Sequence, residues 1–234
     1  MDHIQRIREE EKRYHESCYE NYRLFEEGSW LHKPVKTVID SFCMLSQNEK
    51  IKVLDLGSGV GRNSIPIAQN MVDREGDVVC VDILESALQK LKQYSKQYGV
   101  ENKIKAIQSD IGTYSMGTNE YDFIVAVSCL EHVDSEQTLD NVLSRIEAAT
   151  KGNGINCLIV NSELEEIDMQ TNENLNPLIE VNLSTTEMLN KLQQAYYGWK
   201  LLQSTIKPLS FQINRDNKAV LLKTNAVTYV VQKQ

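Results

Sequence analysis

The segment Val53-Leu54-Asp55-Leu56-Gly57-Ser58-Gly59-Val60-Gly61 constrains this chain more than any other part of it. An apolar run ends in three glycines at alternate positions, followed by Arg62-Asn63-Ser64 and a second apolar stretch. Glycine adopts positive φ at little cost and, lacking a Cβ, lets backbone come close to a ligand. The pattern therefore reads as a strand, a tight turn and a helix, with Asn63 and Ser64 satisfying free amides at the helix start. A dinucleotide-binding turn needs glycine or alanine five positions after its first glycine, for close helix–strand packing. That position is Arg62 here. Asp55, two residues before the first glycine, places a carboxylate where a pyrophosphate would be repelled and an ammonium group attracted.

The rest of the chain repeats the strand–helix rhythm. Ile51–Leu56, Asp77–Val81, Lys103–Gln108, Asp122–Val127 and Ile155–Val160 are short apolar runs of strand type. Between them, Leu84, Ala87, Leu88, Leu91 and Tyr94, and later Leu139, Val142, Leu143 and Ile146, recur at helical spacing. Alternation of this kind predicts a parallel sheet covered on both faces by right-handed crossovers, a Rossmann-like α/β fold. After Ser184-Thr185-Thr186-Glu187, a capping-box helix start, Trp199–Ile206 and Ala226–Gln232 read as strands around a turn-rich segment at Asn214–Asn217. With no helix of ordinary length between them, they form an antiparallel pair at a sheet edge.

Composition bounds the partners. The 234 residues carry a net charge of −8, with 41% hydrophobic and 25% charged residues. That is a globular balance with no basic stripe for nucleic acid or anionic lipid. The five cysteines are widely spaced and form no Cys-x-x-Cys, which fits free thiols in a reducing compartment. No apolar run approaches the roughly 20 residues of a membrane span, and residues 1–12 are too charged for a signal peptide. The expectation is a cytoplasmic enzyme.

Candidate ligand-binding residues fall at strand ends, where open α/β sheets bind. The second strand ends in Asp82-Ile83, whose carboxylate can accept from both hydroxyls of a ribose. The third ends in Ser109-Asp110-Ile111. There Asp110 suits an exocyclic amine, with Ile83 and Ile111 flanking a planar base. The fourth ends in Ser128-Cys129-Leu130-Glu131-His132-Val133.

In order and spacing, the Asp-Leu-Gly-Ser-Gly-Val-Gly loop, Asp82, Ser109-Asp110-Ile111 and Leu130-Glu131-His132-Val133 resemble the class I S-adenosylmethionine (SAM)-dependent methyltransferases. The resemblance covers Ile51–Val160 well and the tail less closely. Residues 57–64 also look like the loop of the tellurite-resistance branch. One departure is Lys151-Gly152-Asn153-Gly154, where many members carry Lys-Pro-Gly-Gly. The family implies a seven-stranded sheet ending in an antiparallel hairpin. It also implies a SAM site at Asp55, Gly57, Ser58, Gly59, Gly61, Asp82, Ile83, Asp110, Ile111 and Ser128.

His132 is the candidate catalytic residue, since histidine titrates near neutrality and this one follows the fourth strand. Related quinone-hydroxyl methyltransferases can place a metal-binding acid where Ser128 stands here, so no metal is expected. Residues 1–45 carry Tyr14, Cys18, Tyr22 and Phe25 at helical spacing, then Gly28-Ser29-Trp30. They read as a helical lid over the SAM-binding domain at 46–234, with Trp30 near the ligand. The leading expectation is methyl transfer to a small molecule. The alternatives are aminopropyl transfer on the same fold and a non-catalytic SAM-binding protein.

Overall fold

The computed structural model describes residues 3–45, 47, 49–215 and 218–234. Its N-terminal part comprises helix α1 (His3–Asn21), a 3-10 turn at Trp30–His32 and helix α2 (Lys36–Cys43). The sheet follows: β1 (Lys50–Leu56), α3 (Ser64–Gln69), β2 (Glu75–Asp82), α4 (Glu85–Gln97), β3 (Ile104–Gln108) and β4 (Tyr121–Val127). The remaining elements are α5 (Glu136–Ala149), β5 (Thr150–Asp168), the two-residue β6 (Asn174–Leu175), α6 (Thr185–Ala195), β7 (Lys200–Arg215) and β8 (Lys218–Gln232).

The strand order is β3-β2-β1-β4-β5-β8-β7, with β6 paired to β5. Strands β1 to β5 run parallel, while β8 is antiparallel to both β5 and β7. This is the expected Rossmann-like sheet with an antiparallel C-terminal hairpin, plus the short β6. Period-two alternation sends Leu54 and Leu56 into one core layer with α5 and α6. Ile51 and Val53 enter the other, with α2, α3 and α4. Burial on both faces explains why these strands read as unbroken apolar runs. The capping box at Ser184 forms as expected, with both reciprocal hydrogen bonds to Glu187 present.

Three features depart from the sequence reading. β5 continues past Val160 through Asn161-Ser162-Glu163-Leu164-Glu165-Glu166-Ile167-Asp168, and its pairing with β4 ends at Ile159. The extra residues pair instead with β8, which in turn carries β7 as far as Arg215. A three-stranded arm therefore projects beyond the carboxyl edge of the parallel sheet. The β5 part of it, rich in Glu and Asp, carries no hydropathy signal. The expected turn at Asn214–Asn217 lies partly on Asp216 and Asn217, outside the described residues.

The third departure is the inward face of α1. Tyr14 and Tyr22 of the expected aromatic stripe are 46% and 40% exposed. The face turned inward runs through Ile7, Arg8, Glu11, His15, Cys18 and Tyr19 instead. A helix covering a core buries an apolar stripe; this one buries Ile7, Cys18 and Tyr19 but sets the half-buried Arg8, Glu11 and His15 among them. Beyond it, Leu24 and Leu31 are buried in the same core layer as α2 and α3. No helix among the described residues is long and apolar enough to cross a membrane.

Candidate functional site

The chain reverses direction across the sheet between β1 and β4, and the crevice at such a switch point is where open α/β folds hold ligands. The glycine loop leaves β1 there, and Ser128-Cys129 leaves β4 beside it. Gly57, Gly59 and Gly61 all have positive φ (65°, 54° and 96°). Their reasons for being glycine differ. A Cβ on Gly57 would stand 2.4 Å from Cys129 Cβ, and one on Gly61 would stand 2.5 Å from Leu91 Cδ1, so both serve internal packing. A Cβ on Gly59 would stand 3.0 Å from the Tyr19 hydroxyl of α1, so this glycine faces the cleft.

Asp55 alternates away from Leu54 and Leu56 and so points under α3. It is 2% exposed and accepts a hydrogen bond from Ser64 Oγ. Burial pushes its carboxyl up to about 7, against that bond. Asp55 thus shapes the loop from behind. Ser64 spends its hydroxyl on Asp55, and Asn63 Oδ1 accepts from Val35 N (3.0 Å), so neither side chain caps α3 as expected. Both tie distant segments together instead. Arg62 donates to the Trp30 carbonyl (2.9 Å), and its guanidinium lies 5.1 Å over the Trp30 ring. Trp30 therefore sits against the end of the glycine loop. Ser58 Oγ is buried and has no hydrogen-bond partner among the described residues.

Asp82 ends β2 with its Oδ2 accepting from Gly59 N (2.8 Å) and its Oδ1 from Leu84 N (2.9 Å). Burial raises its pKa, opposed by these amides. Asp110 ends the β3 segment; its Oδ1 accepts from Gly112 N (2.7 Å) and its Oδ2 lies 3.1 Å from Arg8 Nη2. Ile83 is exposed, whereas Ile111 lies at the edge of the core. Ser128, exposed at the tip of β4, holds φ +50°. A left-handed serine is a local strain of the kind found where structure is shaped for ligands.

The sequence reading did not single out the charged groups that meet near His132. His132 Nδ1 is 3.0 Å from Glu180 Oε2, a carboxylate whose side chain is 1% exposed. Burial works to lower the imidazole pKa. The Glu180 bond, together with Glu11 and Glu131, outweighs it and pulls the value up to about 9. His132 therefore carries a proton at neutral pH and is not poised there as a base. Arg215, at the tip of the β7–β8 arm, reaches both Glu11 (3.6 Å) and Glu166 (3.2 Å). Glu180 and Arg215 come from a loop and an arm with no motif, so spacing could not point to them.

The His132–Glu180 pair should leave a signature in stability against pH. Because the folded pKa lies above the ordinary 6.5, its contribution is fully present below about pH 6.5 and lost as pH rises through about 9. Denaturant melts across that window should show stability falling in the wild type and a shallower slope in His132→Gln. Equal slopes would mean the pair does not form.

Known proteins share the domain and the fold that carry this geometry. Residues 53–154 match a methyltransferase domain family. Over 103 residues the chain is 30% identical to the sterol 24-C-methyltransferase of Pneumocystis carinii, a match covering 44% of this chain but only 26% of that protein. In structure the chain resembles TehB from Haemophilus influenzae, with a TM-score of 0.66 at 19% identity, over 86% of this chain and 62% of that one. It also resembles a SAM-dependent methyltransferase from Methanosarcina mazei, with a TM-score of 0.62 at 15% identity, over 86% and 98% of the two chains. Residues 53–154 thus match a methyltransferase domain, and the chain has the α/β fold of its methyltransferase neighbours.

Proposed function

We propose that this protein binds SAM across the carboxyl ends of β1 to β4 and transfers its methyl group to a small-molecule acceptor. The observation that carries the reading is the convergence of Gly57–Gly61, Asp82, Asp110 and Ser128 on one edge of the sheet at its switch point. The residues fit such a cofactor. Each Asp82 oxygen accepts one backbone amide and keeps a second lone pair for a ribose hydroxyl. Ser58 Oγ is a buried polar atom whose missing partner an amino-acid carboxylate can supply. Asp110 takes the exocyclic amine, with Ile83 and Ile111 beside the base.

When bound, the cofactor supplies an electrophilic methyl group, and the chain's task is to align the acceptor and exclude water. Residues 1–45 act as the helical cap over the domain at 46–234. His132, already protonated, offers the acceptor side a donor rather than a base.

Calorimetry tests the cofactor assignment. S-adenosylhomocysteine (SAH) should bind with a micromolar-scale dissociation constant and NAD should not. NAD binding tighter than SAH would overturn the reading. Conversion of SAM to SAH with a panel of small acceptors separates an enzyme from a non-catalytic SAM binder. Turnover of decarboxylated SAM instead would establish aminopropyl transfer.

A further inference from the structure

Helix α1 lies against the carboxyl edge of the sheet, and polar groups on its inward face touch the residues that the proposed function assigns to the cofactor. Near its start, the Arg8 guanidinium lies 3.1 Å from Asp110 Oδ2 and 3.8 Å from Glu180 Oε1. Near its end, the Tyr19 hydroxyl packs on the open face of Gly59. Eleven residues separate the two contacts, about 16 Å along a helix axis. The helix is anchored on both sides of the cleft. Ser86 Oγ donates to Glu16 Oε1 (2.9 Å) at the start of α4, and Arg215 of the arm pairs with Glu11 (3.6 Å).

We infer that α1 is an internal occupant of the cofactor site, with Arg8 held on Asp110 where the base's amine would donate and Tyr19 set against Gly59 where the ligand must come close. The inference rests on the cofactor assignment above and adds a property to it. Arg8 and Tyr19 determine affinity by competing with the cofactor instead of contributing to its binding. Asp110 Oδ1 already accepts from Gly112 N, so a guanidinium seated on Oδ2 fills by its bulk the space in which an exocyclic amine would donate. The cofactor must displace this contact before it binds. Its apparent dissociation constant is then the intrinsic one divided by the fraction of molecules in which α1 is unseated.

This competition sets the sign of a mutational effect. Arg8→Ala should tighten SAH binding by about two- to fivefold, the range for a partly exposed ion pair, because the occupant is weakened while the binding groups stay intact. A helix that merely closes over bound cofactor gives the opposite sign, since removing a contacting arginine loosens the complex. Salt supplies a second readout. Screening weakens the Arg8–Asp110 pair, so wild-type affinity for SAH should improve with ionic strength and the improvement should disappear in Arg8→Ala. Titration calorimetry on both full-length proteins, with melting curves confirming that each is folded, decides the matter. Tighter binding by Arg8→Ala supports the inference; unchanged or weaker binding overturns it while leaving the cofactor assignment standing. If neither folded protein binds SAH, the cofactor assignment fails, and the inference fails with it.

Discussion

Gly76→Ala is expected to lower the stability of the folded protein by about 2–6 kcal/mol, combining backbone strain with a steric clash. Gly76 lies within β2, in register with Ile51 of β1, and holds φ +113°. That conformation strongly disfavours any residue with a Cβ. The added atom would also stand 1.8 Å from the Ile51 carbonyl oxygen. Both partners are backbone of adjacent paired strands, so no side-chain rotation relieves the contact and the β1–β2 edge must part. Because β1 carries the glycine loop, the damage should spread to the ligand crevice. Thermal unfolding should show the midpoint falling by roughly 5–20 °C for a domain of this size. Gly99→Ala is the control: φ is +67° there, but a Cβ meets nothing within 4 Å. It should cost only about 1–2 kcal/mol. Equal losses in the two variants would show that the β1–β2 contact is not as close as described.

Asp82→Ala should damage both stability and binding. The structure makes this carboxylate the hinge of the site, since one oxygen holds Gly59 N of the glycine loop and the other holds Leu84 N at the entry to α4. Deleting it leaves two amides without their charged acceptor, a loss of about 2–4 kcal/mol in folding. If the remaining lone pairs receive the ribose hydroxyls, SAH affinity should fall by a further 1–3 kcal/mol or so. Asp82→Asn separates the two roles. It keeps one acceptor oxygen and much of the loop, yet loses the charge that both hydroxyls would face. Calorimetry with SAH should find folded Asp82→Asn at least about tenfold weaker, that is about 1.4 kcal/mol. Normal affinity in that variant would show that Asp82 is only a structural brace.

The strand-end residues owe their legibility to a local code. Alternating glycines after Val53–Leu56 can be read because positive φ at 57, 59 and 61 is a property of single residues. The capping box at Ser184 is likewise complete within four residues. β2, β4 and the first part of β5 show themselves because burial on both faces leaves apolar runs, whereas the edge strand β3 keeps exposed positions. On these grounds the sequence determined by itself the α/β class, the positions of its first five strands along the chain and the strand ends where a ligand crevice would open.

Tertiary structure alone decided how those residues are used. Asp55 and Asp82 are both strand-end aspartates of the same segment type. Pleat alternation sends the first under α3 to Ser64, while the second stays at the crevice on Gly59. His132 looks like a base in isolation, and the approach of Glu180, 48 residues later, with Glu11 and Glu131, holds its pKa up. The extension of β5 in the arm escapes hydropathy because Glu163, Glu165, Glu166 and Asp168 break any apolar run. Helix α1 escapes it for a related reason. Its inward face mixes buried Ile7, Cys18 and Tyr19 with the half-buried Arg8, Glu11 and His15, so the apolar stripe is interrupted. Long-range charge pairing has no period along the chain, and that is why only the folded molecule reveals it.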